Sequence, residues 1–474
     1  MDRNVYKALL EFCEIPAEEV EELLPDFKIA CDLCKLSEAD VAYALDEYIP
    51  ANWDVQYQGV RLMIGAYMRE LVEIGRTKRY KEEGVKLIYG ILPAIGTPYN
   101  VLKKAAKDKA YIGFPDLMMV TILNGFFHKA SSFFNSAEQS GFTYGCRHCP
   151  LNKMRVAAYT NGVIPSPDVI WSWGFNCDEG PKTDEMIQLL LNDDWNYVIS
   201  RMPHDTAFGS EDDEDASRVK YVGDILKADF EKILEKTGIE VKEEDWAATF
   251  KDNQRLGFKI GTISSIICQA DPPVIGGASL TNLQQVMTCP FNSGTQYMEK
   301  AIDVLTKELR KVVKAGEGIL PKGSPKIGSY FVPFCIPWID RLFRENGIST
   351  TFSDVLSLSS KQLQPSNYKN EMWMSTAEQW LRMGLVQNMG YEIESMIEKV
   401  NTFKPDGMLM GFFDFDRWLG AHHKIAAQLV EKETGVKHYY MEADFWDDRD
   451  YSEEALRTRI ESMSQIIKMR KEQA

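Results

Sequence analysis

Gly318-Ile319-Leu320-Pro321-Lys322-Gly323-Ser324-Pro325 decides how this chain is divided. Two glycines and two prolines in eight residues end any helix or strand that enters them, so the stretch marks a linker. On its C-terminal side, Lys326-Ile327-Gly328-Ser329-Tyr330-Phe331-Val332-Pro333 is a short apolar run predicted to be a strand. A helix is expected over 336–346, strands at Ser349–Phe352, Gly407–Phe413 and His438–Glu442, and helices over 376–402, 418–434 and from Ser452 onward. On the N-terminal side the same alternation runs backward. Val85-Lys86-Leu87-Ile88-Tyr89-Gly90-Ile91, Asp168–Trp173 and Tyr197–Met202 are predicted strands, and amphipathic runs cover about 216–260 and 296–316. Strands alternating with helices on both sides of one linker predict an α/β fold of tandem parallel-sheet domains. From residue 4 to about 82, apolar residues recur at helical spacing, as in Val60-Met63-Ile64-Tyr67, so an N-terminal helical arm is expected. The domains are therefore placed at 1–83, 84–320 and 321–474.

The 474 residues include 54 Lys and Arg against 70 Asp and Glu, a net charge of −16. Such a surface repels a phosphate backbone, so nucleic acid is not an expected partner. No window supplies a membrane span or a secretory apolar region, so a cytoplasmic protein is expected. No GxGxxG follows a predicted strand, and neither GxxxxGK[ST] nor GxSxG occurs, which removes nucleotide-fingerprint and hydrolase readings.

The chemistry-bearing residues are cysteines. Nine of them, against six histidines, do not form a disulfide framework in a large chain of a reducing compartment. Gly145-Cys146-Arg147-His148-Cys149-Pro150 is a CxxC in a loop before a predicted helix, a spacing suited to a redox pair, zinc or an iron–sulfur cluster. Cys177, in Asn176-Cys177-Asp178-Glu179-Gly180, lies just beyond the carboxyl end of the strand Asp168–Trp173, where ligands bind in open α/β sheets. Cys335 follows the first strand after the linker in the same way. Cys31-Asp32-Leu33-Cys34 lies inside a helical pattern and reads as packing or solvent-edge thiols.

These features together resemble the benzoyl-CoA reductase/2-hydroxyacyl-CoA dehydratase family over roughly 84–470. Three stretches carry the resemblance: Cys149-Pro150 with Arg155-Val156-Ala157-Ala158-Tyr159-Thr160-Asn161-Gly162, the strand Pro167–Trp173 leading to Cys177-Asp178, and Asp444…Asp448-Arg449…Leu456-Arg457-Thr458-Arg459-Ile460-Glu461. The resemblance implies tandem flavodoxin-like domains holding a 4Fe-4S cluster, or a double-cubane variant, with Cys149 and Cys177 at the first two ligand positions. It also implies a second family subunit, an ATP-hydrolysing iron–sulfur activator and an acyl-CoA substrate. The family's third cysteine follows the strand equivalent to Gly407–Phe413, and here Phe413-Asp414-Phe415-Asp416-Arg417-Trp418 has none. Cys335, then Asp416, then Cys146 are the candidates for that place. Any acyl-CoA site needs a local basic cluster in so acidic a chain, and Lys103 and Lys104 are the candidates. Two functions follow: a radical acyl-CoA reductase or dehydratase subunit, or a non-catalytic scaffold or electron-relay partner that only holds the cluster.

Overall fold

A computed structural model describes residues 3–473 other than 93, 143–147, 175–178, 203–215, 331–335, 355, 356, 358, 383–388, 411–416, 442, 443 and 445. The N-terminal region is helical as expected. Helices α1 (Val5–Phe12), α2 (Ala17–Leu33), α3 (Glu38–Tyr43) and α4 (Ile49–Asn52) lead to the long α5 (Gln58–Glu82). Local chemistry starts them: the Asn4 side chain accepts from Lys7 N, and Ser37 with Asp40 forms a reciprocal cap. Helix α5 is buried along most of its length, so this region is packed into the body of the molecule. Gly59 lets α5 touch a later helix, since a Cβ there would lie 2.4 Å from Leu305 Cβ.

Two wholly parallel sheets follow, each with four strands among the described residues. The first contains β1 (Lys86–Gly90), β2 (Ala110–Gly113), β3 (Val169–Gly174) and β4 (Tyr197–Arg201), in the order β2-β1-β3-β4. Its register pairs Lys86 with Ala110, Ile88 with Val169 and Ile170 with Tyr197. Between these strands run α6 (Thr97–Ala106), α7 (Pro115–Ile122), α8 (Ser131–Gln139), α9 (Pro150–Thr160) and α10 (Glu179–Leu190). A helical block of α11 (Ala216–Thr237), α12 (Glu243–Gln269), α13 (Gly277–Gln284) and α14 (Gln296–Ala315) precedes the linker. The second sheet repeats the plan with β5 (Lys326–Ser329), β6 (Ser349–Ser353), β7 (Gly407–Met410) and β8 (His438–Tyr440), in the order β6-β5-β7-β8. Its helices are α15 (Pro337–Glu345), α16 (Met372–Leu381), α17 (Met389–Phe403), α18 (Arg417–Thr434) and α19 (Glu453–Gln473). No helix among the described residues is long and apolar enough to cross a membrane.

The structure departs from the sequence expectation at β2 and within 216–260. Strand β2, Ala110-Tyr111-Ile112-Gly113, was too short to stand out by pattern, yet all four residues are buried beside β1. The run expected over 216–260 is two helices, because Gly238 takes a left-handed turn at φ 69° between α11 and α12. The segment expected to be helical over 376–402 holds α16 and α17, with 383–388 outside the described residues.

In both sheets the strand order reverses direction between the first and third strands, β1 and β3 or β5 and β7. Crevices outside the carboxyl ends of such strands are where open α/β sheets bind ligands. Cys177 follows β3, Cys335 follows β5 and Asp416 follows β7 in the chain. The two sheets are joined by an aromatic seam: Trp173 at the end of β3 meets Trp380 of α16 at 4.9 Å, and Trp373 meets Phe230 at 4.9 Å and Trp246 at 4.8 Å. Trp380 is buried, so removing its ring leaves a cavity across the seam. Trp380→Ala is expected to cost about 3–5 kcal/mol and to separate the thermal unfolding of the two halves, measured by calorimetry; an unchanged single transition refutes this.

Candidate active site at the sheet edges

Cys149 stands at the N-terminus of α9, followed by Pro150 in the first helical position. Its thiol is half-buried, beside amides whose dipoles stabilise a thiolate. Its own backbone N–H donates to Glu179 Oε2 at 2.8 Å. Glu179 opens α10, directly after Cys177-Asp178, so one hydrogen bond clips together the chain segments that carry the two cysteines. His148 adds a third polar group: its Nδ1 is buried with no hydrogen-bond partner among the described residues, and burial, then Lys153, lowers its pKa. A thiol and an imidazole nitrogen on consecutive residues are donors of the kinds that transition metals take.

Of the predicted ligands, Cys149 is described, whereas Cys146, Cys177, Cys335 and Asp416 lie outside the described residues. Among the described residues no three of His, Cys, Asp and Glu gather to hold a metal ion. The remaining described cysteines, Cys13, Cys31, Cys34, Cys268 and Cys289, are buried in the core. Burial pushes the Cys34 and Cys268 thiols up to about 12, which keeps them protonated. The Cys31–Cys34 pair is therefore packing, as its helical setting suggested. Lys103 and Lys104 of α6 are both engaged within the protein: Lys103 Nζ donates to Asn292 Oδ1 at 2.8 Å, and Lys104 pairs with Asp252 at 2.7 Å.

Beneath Cys149 lies a nearly dry ion-pair network. Arg155, two turns along α9, bonds Asp116 Oδ2 at 2.7 Å and Asp184 Oδ1 at 3.1 Å, with side-chain exposures of 2%, 2% and 0%. Asn152 Oδ1 and Gly180 O also accept from its guanidinium. Asp184 in turn accepts from Ser172 of β3 and from the Trp195 indole. Burial raises the Asp184 pKa and by itself lowers that of Arg155, but the two carboxylates outweigh burial at Arg155, which stays charged. The network fixes α9 against α7, α10 and β3, and so fixes Cys149 relative to the edge of the first sheet.

The C-terminal stretch closes over this helix from the other half. Arg449 grips Glu138 of α8 at 2.6 Å and Asp447 at 2.6 Å, and Glu138 also holds Lys153 of α9 at 2.8 Å. Asp448 accepts from the Trp338 indole at 2.8 Å and meets His128 Nε2 at 2.7 Å. Trp338 sits in the first turn of α15, three residues after Cys335. His128 ends a π-helical turn in left-handed conformation and stacks on Tyr48 at 5.3 Å. Burial lifts the Asp444 carboxyl to about 7, where it accepts from Trp446 N and Asp447 N. The stretch 444–451 thus spans the helices that follow Cys149 and Cys335. Sequence reasoning did not single out Glu179, Glu138 or His128. Glu179 had a signal in its adjacency to Cys177, whereas Glu138 and His128 had none.

The hydrogen bonds from Arg449, ahead of Lys153, pull the Glu138 pKa from 4.5 to about 2. A depressed carboxylate contributes stability that is complete above its ordinary pKa and is lost as pH falls through the folded value. The clamp is therefore expected to loosen as pH falls from about 4.5 toward 2, and Glu138→Gln to remove that part of the acid dependence. Thermal melts between pH 6 and pH 3 (roughly the window of this linkage) check this; parallel curves for both proteins refute it.

Residues 118–467 match the family model described as 2-hydroxyglutaryl-CoA dehydratase, D-component. The chain is 22% identical over 348 residues to the (R)-phenyllactyl-CoA dehydratase alpha subunit of Clostridium sporogenes, covering 71% of this chain and 80% of that protein. It is 22% identical over 320 residues to the (R)-2-hydroxyisocaproyl-CoA dehydratase alpha subunit of Clostridioides difficile, covering 65% of this chain and 73% of that one. The matched span holds Cys149, Arg155, Cys177 and the Arg449 clamp. With its paired parallel sheets, the chain belongs to the 2-hydroxyglutaryl-CoA dehydratase D-component family.

Proposed function

We propose that this chain is the iron–sulfur subunit of an ATP-activator-dependent radical 2-hydroxyacyl-CoA dehydratase. The observation that carries the reading is the Cys149 N–H to Glu179 hydrogen bond, which ties the two cysteine segments together at the sheet edge. Dehydration is favoured over ring reduction because the relatives named above are dehydratase alpha subunits. Those names also support a second subunit as partner. An acyl-CoA substrate and a separate ATP-hydrolysing activator complete the proposal.

Cys149 and Cys177 would hold a 4Fe-4S cluster, with Cys335 ranked first, Asp416 second and Cys146 third for the remaining position. Such a cluster supplies one electron at low potential to a thioester carbonyl, tuned by its ligands, hydrogen bonds and exposure. The chain's own residues do the positioning. Glu179 holds the Cys149 backbone, Arg155 keeps α9 in register, and Arg449 draws the second half over the first. The aromatic seam of Trp173, Trp380 and Trp373 joins the two halves beside that sheet edge. The absence of cysteine from Phe413–Trp418 favours a second reading, a non-catalytic scaffold or electron-relay subunit, possible also with a double-cubane cluster.

Anaerobic protein is expected to contain iron and sulfide, and the double variant Cys149→Ser, Cys177→Ser to lose both. Full retention of iron by the double variant overturns the ligand assignment. With activator, partner subunit and a 2-hydroxyacyl-CoA, turnover supports the dehydratase and its absence, with iron still bound, the scaffold. For the third position, Cys335→Ser is expected to alter the cluster's paramagnetic resonance while Asp416→Ala leaves it unchanged; the opposite pattern makes the carboxylate the ligand.

A further inference from the structure

A CoA thioester brings three phosphate groups to a chain whose net charge is −16. Long-range repulsion then has to be overcome by a local concentration of cations. The lysines of α6 are engaged with Asn292 and Asp252 and do not provide one. A groove of about 700 Å³ between α12 and α14 does. Lys251, Arg255 and Lys259 of α12 and Lys307 and Arg310 of α14 line it, around Phe258. Arg255 and Lys259 are held by Glu299 at 2.8 and 3.1 Å, which fixes the groove wall. Lys251, Lys307 and Arg310 are exposed and make no ion pair among the described residues, so their charges remain available. Phe258 is 78% exposed and contributes nothing to the core, an unusual state for a phenyl ring in mid-helix.

The bland account of such a patch is neutralisation of helix dipoles, and it explains another basic groove in this protein. There, Lys432 and Arg470 occupy the last turns of α18 and α19, where cations are favoured. It does not explain Lys251 and Phe258, which lie far from the Gln269 end of α12.

The helix that bears the groove is seated beside the first sheet, through its opposite face. Asn253 Nδ2 donates to Thr97 Oγ1 at 2.9 Å, and Thr97 opens α6 at the carboxyl edge of the first sheet, just after β1. From there α12 carries Phe258 and Thr262 outward, about 1.5 Å per residue. A CoA whose phosphates lie in the groove has to pass its pantetheine arm over α12 to reach that edge.

We propose that the α12–α14 groove docks the nucleotide end of the acyl-CoA substrate. The adenine ring lies on Phe258, and Lys251, Lys307 and Arg310 take the phosphates. Stacking on an exposed aromatic ring with cations alongside is the general means of holding a base and its phosphates. This proposal rests on the dehydratase reading above and names where its substrate is anchored.

The test is equilibrium binding of CoA, 3′-dephospho-CoA, pantetheine and inorganic tripolyphosphate to the full chain, prepared anaerobically, by titration calorimetry. The unmodified chain is expected to bind CoA more tightly than dephospho-CoA, and pantetheine weakly. Lys307→Glu with Arg310→Glu is expected to weaken CoA at least about tenfold, a like-charge effect on a phosphate site, and to erase the preference over dephospho-CoA. Phe258→Ala is expected to weaken CoA and dephospho-CoA alike, several-fold, without affecting pantetheine. All three positions are exposed, so the fold should survive, as circular dichroism would show. CoA binding that is unchanged in both variants overturns the groove and leaves the dehydratase reading standing. Tripolyphosphate binding as tightly as CoA overturns it too, because the groove is then only a charged patch. No CoA binding by the unmodified chain removes the substrate reading, and the groove with it.

Discussion

Arg155 and its two aspartates are the constraint on which the site depends. Three charged groups almost without water carry a desolvation cost that is offset only if every lone pair and proton finds a partner. Here each does: Leu117 N and Arg155 serve Asp116, Ser172 and Trp195 serve Asp184, and Gly180 O and Asn152 take the remaining guanidinium protons. Removing one member of such a set leaves an unpaired buried charge, a loss of roughly 3–5 kcal/mol. The network is therefore intolerant of slippage, which makes it a good ruler. It sets α9 against β3 and α10, and the Glu179 clip then transmits that setting to Cys149.

The second half is brought to this ruler by charge as well as by aromatic packing. Glu138 stands between Lys153 of α9 and Arg449 of the C-terminal stretch, so one carboxylate joins a cysteine-bearing helix to the opposite lobe. Asp448 does the same between His128 and Trp338. Both contacts link residues more than a hundred positions apart in sequence. They are separate from the ring contacts of Trp173, Trp380 and Trp373, which add apolar burial between the halves. Net charge is a poor guide to this arrangement. A surplus of sixteen negative charges coexists with a groove on α12 and α14 that leaves several cations unpaired, because ion pairs are formed locally.

Local pattern carried the fold class and most elements. The strands expected at Val85–Ile91, Asp168–Trp173, Tyr197–Met202, Lys326–Pro333, Ser349–Phe352, Gly407–Phe413 and His438–Glu442 overlap the observed β1 and β3–β8, with β3 and β6 each running one residue further, because buried parallel strands are short apolar runs between turn signals. It missed β2, whose four residues are no longer than many loop segments, and it ran α11 into α12, since periodicity does not register a single left-handed glycine. The cysteines were legible as a type and by their position after strands. Arg155 was legible only as part of a resemblance; its partners, Asp116 and Asp184, carry no pattern that would pair them with it.

The sequence by itself determined the α/β alternation, the helical N-terminal region, the parallel sheets and the placement of Cys149, Cys177 and Cys335 just after strands or before helices. These follow from hydrophobic periodicity and turn chemistry, which act over neighbouring residues. Only the tertiary structure decided the β2-β1-β3-β4 and β6-β5-β7-β8 orders, the Cys149–Glu179 clip, the Arg155 network and the Arg449 clamp. Each of these joins groups distant in sequence whose pairing is worth forming only once packing has excluded water, and that exclusion is a property of the assembled fold.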